Sequence, residues 1–161
     1  MRYIKLTQGK KTIVDDKNFE WLSRWKWCLG RGKYAYRRKY MGRINGKWQF
    51  ESIYMHRLIN KTPEGFETDH INHNKLDNRQ ENLRTVTHQQ NSMNISFKRK
   101  DNTSGTRGVW FDKERNKWAV EIMLNQKKIH IGRYAELEEA KKQRLTAETT
   151  YFKEYAPLAF K

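Results

Sequence analysis

Cysteine is nearly absent: Cys28 stands alone in 161 residues. A disulfide within the chain is therefore excluded, and so is a cysteine-rich zinc ribbon. A reducing, intracellular setting is expected. Long apolar runs are missing too. No stretch approaches the ~18–20 apolar residues that a membrane helix needs, and no signal-peptide pattern opens the sequence. Acidic residues are scarce, with 18 Asp and Glu against 34 Lys and Arg, a formal net charge of +16 and a pI near 10.0. Such an excess points to a polyanion partner: DNA, RNA or an anionic membrane surface. Hydrophobic residues make up only 36% of the chain, so the core must be modest. Six Trp, eight Tyr and seven Phe compensate, because each aromatic buries a large area, and they exclude a disordered chain.

The charge is unevenly placed. Residues 1–60 carry 15 Lys and Arg against 4 Asp and Glu, residues 61–97 carry 4 against 5, and residues 98–161 carry 15 against 9. Two basic flanks thus enclose a near-neutral middle, a layout suited to holding a cation beside a polyanion. In the first flank, "RYIKLTQGKKTIVDD" alternates like a hairpin. Asp16 is placed to cap a short helix with Phe19, Leu22 and Trp25 on its core side. Trp21, Trp25 and Trp27 read as packing residues. "KYAYRRKYMGRINGKWQFESIYMHRLI" reads as strands around an Asn45-Gly46 turn. There Arg37, Arg38 and Lys39 are candidates for lining a phosphate backbone.

The middle is odder. "FETDHINHNKLDNRQENLRTVTHQQN", residues 66–91, is polar and has no helical period. It reads as a short strand ending in Asp69-His70, a loop, a second strand and a short helix carrying Asn91, opened by a cap at Thr87. Asp and Asn offer oxygen donors that hard divalent cations prefer, and a neighbouring His takes a proton near neutral pH. A polar turn held by its own Asn and Asp bonds is the alternative.

His70, Asn82 and Asn91 stand with eleven and eight residues between them. With "DHINHNKLDNRQENLRTVTHQQN" and the upstream "MHRLI", this resembles the HNH motif of the His-Me-finger nucleases, above all the phage and intron-encoded homing nucleases. The resemblance implies a ββα-metal unit in which His70 is the general base. It implies Asp69 and Asn91 as protein ligands of one divalent cation, Mg²⁺ or Mn²⁺. It implies Asn82 as a bridge across the loop that fixes the tilt of His70. His88 is an alternative ligand to Asn91, His73 is expected at the surface, and His56 is expected buried or supporting.

Residues 96–106 read as a linker. Beyond them come three strand-like runs and a helix, with Leu137, Ala140, Arg144, Ala147 and Tyr151 on one side at helical spacing. The pieces "RGV", "WAVEI", "IGRY" and "EEA" resemble the DNA-binding domain of plant ethylene-response factors (the APETALA-two type). The resemblance implies a sheet in the major groove, with Arg107, Trp110 and Trp118 on DNA-facing strands. Arg115, Lys117, Lys127, Lys128 and Arg133 would be phosphate or base contacts. Trp118 is equally a packing residue.

The expected fold is α+β: N-terminal antiparallel strands leading into a ββα-metal HNH unit, then a small three-stranded antiparallel sheet packed on one helix. Residues 1–95 would form the nuclease domain, with a basic sheet over 1–51 and the ββα core over 52–95, and residues 107–161 the DNA-binding domain. The expected function is a metal-dependent endonuclease of homing type that binds double-stranded DNA and nicks one strand per monomer. It would act as a monomer or homodimer in the cytoplasm of a bacterial host, encoded by a phage or mobile element. A non-catalytic DNA-binding regulator and an RNA-directed protein are the rival readings.

Overall fold

The computed structural model describes residues 1–94 and 101–157. Packing divides the chain into two compact units, Met1–His88 and Gln89–Lys161. Of the expected linker, residues 96–100 lie outside the described residues. Residues 101–106 form a pinned turn, in which buried Ser104 donates from Oγ to the Val109 carbonyl at 2.8 Å.

The first unit opens with the expected hairpin of β1 (Arg2–Lys5) and β2 (Lys11–Val14). Helix α1 (Asp16–Leu22) follows, with Asp15 rather than Asp16 at its N-cap. The Asp15 carboxylate instead accepts the backbone N–H of Gln80 at 2.8 Å. The helix ends at Leu22, so Trp25 lies beyond it and is exposed, meeting Trp21 and Trp27 edge to face. Trp27 is buried and donates to the Leu22 carbonyl at 2.8 Å.

Strands β3 (Cys28–Leu29), β4 (Ala35–Ile44) and β5 (Lys47–Tyr54) form an antiparallel sheet. Asn45 and Gly46 both adopt positive φ, as a two-residue hairpin turn demands. The "MHRLI" segment departs from its strand reading and is helix α2 (Met55–Asn60). Met55 and Ile59 recur at helical spacing and both are buried, and Lys61 closes the helix in the left-handed region. An antiparallel pair follows, β6 (Glu67–His70) with β7 (Leu83–Val86), then α3 (His88–Met93). The core gathers Ile4, Leu6, Val14, Leu22, Trp27, Ala35, Met55, Ile59 and Leu83. Each large buried side chain there contributes about 1.5–3 kcal/mol.

The second unit is a meander of β8 (Val109–Asp112), β9 (Lys117–Leu124) and β10 (Lys127–Tyr134), covered by α4 (Leu137–Phe152). Val109, Val120, Ile122, Ala140 and Ala147 meet between sheet and helix. The small Ala residues let the helix lie close. The expected stripe shifts at its end: Tyr151 is exposed and Phe152 takes the buried place. Among the described residues no helix is long and apolar enough to cross a membrane.

Arg144 is buried in this unit, donating to the Arg107 carbonyl at 2.7 Å and paired with Glu148 at 2.8 Å. Gly108 makes that approach possible. Its φ is +75°, and a Cβ there would stand 2.4 Å from the Glu121 carbonyl oxygen and 2.8 Å from Arg144 Nε. Gly108→Ala should therefore destabilise the second unit by about 2 kcal/mol or more, since it adds backbone strain to a steric clash. Denaturant unfolding followed through Trp110 and Trp118 fluorescence would measure this.

Candidate active site

The strand pair β6–β7 is too short to own a core, so its end is held by polar bonds. Thr68, Asp69 and His70 are all buried. The register sets Asp69 opposite Arg84, whose guanidinium reaches Asp69 Oδ2 at 2.8 Å from Nη2 and 2.9 Å from Nε.

The loop that follows is closed by Asn82. Its Oδ1 accepts from the Asn72 backbone at 2.9 Å, and its Nδ2 donates to the Asp77 carbonyl at 2.8 Å. Asp77 accepts from Arg79 Nε at 2.8 Å and Nη2 at 2.7 Å, and from Asn72 Nδ2 at 2.9 Å. The Arg79 guanidinium holds the Asp77 carboxyl below the usual carboxylate range, outweighing its desolvation.

Beside the Asn82 bridge, Asn78 is the residue that contacts His70 directly. Asn78 is fully buried, with 0% exposure. Its Oδ1 lies 3.1 Å from His70 Nε2, and its Nδ2 donates to Thr12 Oγ1 at 2.8 Å. Thr12 in turn donates to the Leu76 carbonyl at 2.7 Å. The order of donors fixes the tautomer: Asn78 Oδ1 can only accept, so His70 Nε2 carries the proton and Nδ1 the lone pair. Burial lowers the His70 pKa, and the Asn78 bond and the Asp69 charge only partly offset that. The imidazole is thus neutral at pH 7, the form a general base needs.

Rings surround it. The His56 ring centroid lies 5.2 Å from that of His70, and Tyr34 lies 4.8 Å from His56 and 5.8 Å from His70. Burial, together with the charges of His70, Arg57 and Lys75, pushes the His56 pKa down to about 3. His56 is therefore a buried neutral ring, as expected. His88 is exposed and its Nδ1 meets Glu67 at 2.8 Å. His73 sits at positive φ beside a cavity of about 490 Å³ that Arg31, Lys33 and Lys75 also line. Asn91 lies on α3 within the second unit.

The remaining sequence candidates separate by face. Adjacent strand residues point oppositely, so Arg37, Arg38 and Lys39 do not form one patch. Arg37 lies over the Trp25 ring at 4.6 Å, and Arg38 over Phe50 at 5.9 Å. In the second unit Trp118 packs on the helix side with Val109, Val120 and Ala140. Exposed Trp110 lies on the other face by its alternation with Val109. Lys117 and Lys128 are exposed, and Lys127 begins β10 beside the turn. Arg115 and Arg133 converge on buried Asp112 at 3.3 and 3.0 Å, and their bonds outweigh its desolvation and hold its pKa down. The Arg107 guanidinium donates to the Ser92 carbonyl at 3.1 Å.

The segment that carries the buried His70 and the Asn-stapled loop also matches known proteins in sequence. Residues 54–93 match the family model described as HNH endonuclease. The segment is an HNH endonuclease domain. Over 114 residues the chain is 36% identical to "Uncharacterized HNH endonuclease L560" of Acanthamoeba polyphaga mimivirus, covering 69% of this chain and 56% of that protein. Over 56 residues it is 41% identical to "Protein 3.8" of Escherichia phage T7, covering 35% of this chain and 46% of that one. The chain thus spans about half the length of the curated relatives it matches. No solved structure is significantly similar to it.

HNH domains act with a divalent metal, and the donor chemistry here fits one. Asp69 and Asn91 offer oxygen, and a carboxylate has lone pairs enough to serve both an arginine and a hard cation. Among the described residues no group of three His, Cys, Asp or Glu side chains is placed to hold a metal. An Asp–Asn pair would not form such a group.

Asn78, Asp77, Arg79 and Arg84 escaped the sequence reading. Arg84 was accessible, since pairing the two strands about their loop sets it opposite Asp69. Two outcomes test the HNH domain's polar core. Asn78→Ala strands the Thr12 and His70 partners and should cost about 3 kcal/mol, the scale of leaving buried polar groups unpaired, read by urea unfolding. His56 is neutral when folded and protonates when unfolded below pH 6.5, so stability is full above that value and is lost as pH falls toward 3. His56→Phe should flatten this acid-side loss in melting temperatures taken from pH 7 to pH 4.

Proposed function

We propose that this chain is a metal-dependent DNA endonuclease of homing type that hydrolyses one phosphodiester bond per monomer in duplex DNA. The observation that carries the reading is His70: buried, and held by Asn78 at the end of β6 inside the segment that matches HNH endonucleases. On the family resemblance, Asp69 would be one ligand of an Mg²⁺ or Mn²⁺ ion and Asn91 the other. When bound, that ion supplies positive charge beside the phosphoryl oxygens. His70 Nδ1 takes a proton from a water whose oxygen bonds to phosphorus. The bond from phosphorus to the departing sugar oxygen breaks, and solvent protonates that oxygen. Asn82 keeps the loop closed while the imidazole holds its tilt.

Arg31, Lys33 and Lys75, around the cavity beside His73, suit a DNA phosphate. The second unit has the strand order and helix backing expected of an ethylene-response-factor-like module. On that likeness it binds duplex DNA through the face carrying Trp110, Lys117, Lys128 and Arg133, with Arg107, Arg115 and Lys127 at its margin. Lys and Arg there would release counterions from the phosphates. The biological setting is a phage or mobile element acting inside its bacterial host.

Supercoiled plasmid incubated with Mg²⁺ or Mn²⁺ tests the reading. Wild type should produce nicked circles. His70→Ala should lose about 10²-fold or more of that rate while still binding DNA, the scale of a positioned general base. Tight DNA binding with no nicking at any divalent cation would make the chain a non-catalytic regulator instead.

A further inference from the structure

The β4–β5 ribbon presents a face that neither the core nor the nuclease reading uses. The register pairs Tyr36 with Tyr54, Arg38 with Ser52, Tyr40 with Phe50 and, past a bulge at Met41, Arg43 with Trp48. Directly paired residues share a face, so all eight side chains lie on one side. The contacts agree. Tyr40 lies 5.3 Å from Trp48 and 5.8 Å from Phe50, Arg43 is 4.2 Å over Trp48, and Arg38 is 5.9 Å over Phe50. This is an alternating ladder of rings and guanidinium groups, and it stays wet: Tyr40, Trp48 and Phe50 are 51%, 58% and 51% exposed. The other face has no such rings, carrying Arg37, Lys39, Gln49, Glu51 and Ile53.

Cross-strand packing alone would account for one aromatic pair. It does not account for a run of half-exposed rings continuing inward. Tyr54 lies 5.6 Å from His56 and 6.2 Å from Tyr34, and both of those flank His70. The ladder therefore runs from the ribbon toward the proposed general base.

We propose that this face is a stacking platform for the unpaired bases of single-stranded DNA. The chemistry favours unpaired bases over a duplex. Each ring offers a base its flat face, which duplex DNA keeps inside its own stack, and successive rings on one strand face are about 6.7 Å apart. Groove readers instead present Arg, Lys, Asn and Gln to base edges. Arg38 and Arg43, with no acidic residue among the eight side chains of this face, complement a phosphate backbone and repel a second copy of the chain. Resting on the nuclease reading, the inference makes the substrate a DNA with a single-stranded segment beside the cut.

The test is binding by the full chain in EDTA, so that cleavage plays no part. The probes are a fluorescent twenty-residue deoxythymidine strand, an abasic strand of equal length and charge, and a duplex. Wild type should bind the thymidine strand at least about 10-fold more tightly than the abasic one, the effect expected of stacked bases. The double variant Trp48→Leu, Phe50→Leu should lose that difference, and Trp48→Phe, Phe50→Tyr should keep it. Equal binding of the abasic strand, unchanged binding by the Leu variant, or a Leu variant that weakens duplex binding as much as single-strand binding would overturn the proposal. So would a dimer in sedimentation that the Leu variant abolishes. A chain that shows the base dependence but never nicks plasmid would leave the platform standing and remove the nuclease reading.

Discussion

The side chain of Asn78 is the constraint on which the first unit depends. A loop with so many Asn, Asp and His residues gains little by burying apolar surface, and every polar group it takes from water must be paired. Asn78 accomplishes this in one direction along a chain of bonds: His70 donates to Asn78, Asn78 to Thr12, Thr12 to the Leu76 carbonyl. Its own backbone N–H donates to the Ile13 carbonyl at 2.9 Å, and the Ile13 N–H donates to the Leu76 carbonyl at 2.9 Å. The loop is thereby laid along β2 as if it were a further strand, bridged in parallel at Ile13 and Asp77. The N-terminal hairpin is thus part of the HNH domain's foundation, although the family match begins only at residue 54.

This explains the arrangement of charge. The near-neutral middle keeps its carboxylates internally matched, Asp69 to Arg84 and Asp77 to Arg79. The flanks carry the excess positive charge where solvent reaches it. Neutral imidazoles gain from that separation: burial lowers the pKa of both His56 and His70, and Lys75, on the loop itself, opposes protonation of both. Lys75 reaches the Gly32 carbonyl at 3.1 Å and lies 4.5 Å over the Tyr34 ring, so it ties the loop to the segment before β4.

Much of this was legible in the sequence where a local rule determines the outcome. Alternation gave the first hairpin and the β6–β7 pair, and Asn45-Gly46 specified the β4–β5 turn. The second unit's meander followed from three alternating runs ahead of a helix with acidic residues in its first turn. What escaped depends on tertiary context. "MHRLI" is too short for its period to separate strand from helix, and burial of Met55 and Ile59 decides it. Trp25 lost its place on α1 because Ser23 ends the helix. Asn78 could not be chosen among the loop's asparagines, because its partner Thr12 lies 66 residues away. The family resemblance implied Asn82 as a bridge across the loop, and Asn82 bonds there to the Asn72 N–H and the Asp77 carbonyl.

The Asp69–Arg84 pair bears on how the proposed metal site would behave. A carboxylate side chain only 8% exposed would be costly to bury without a counterion. Arg84 provides one from the directly opposite position on β7, in a bond available as soon as the two strands pair. The β6–β7 unit therefore needs no cation to fold, unlike small domains whose metal is their core. The same guanidinium repels an incoming cation and leaves Asp69 with less net charge to offer. A divalent ion would then be held firmly only when a phosphate adds its own negative charge at the site. At the proposed site, charge matching between β6 and β7 would thus link metal retention to the presence of DNA, through one residue that the spacing of His and Asn does not reveal.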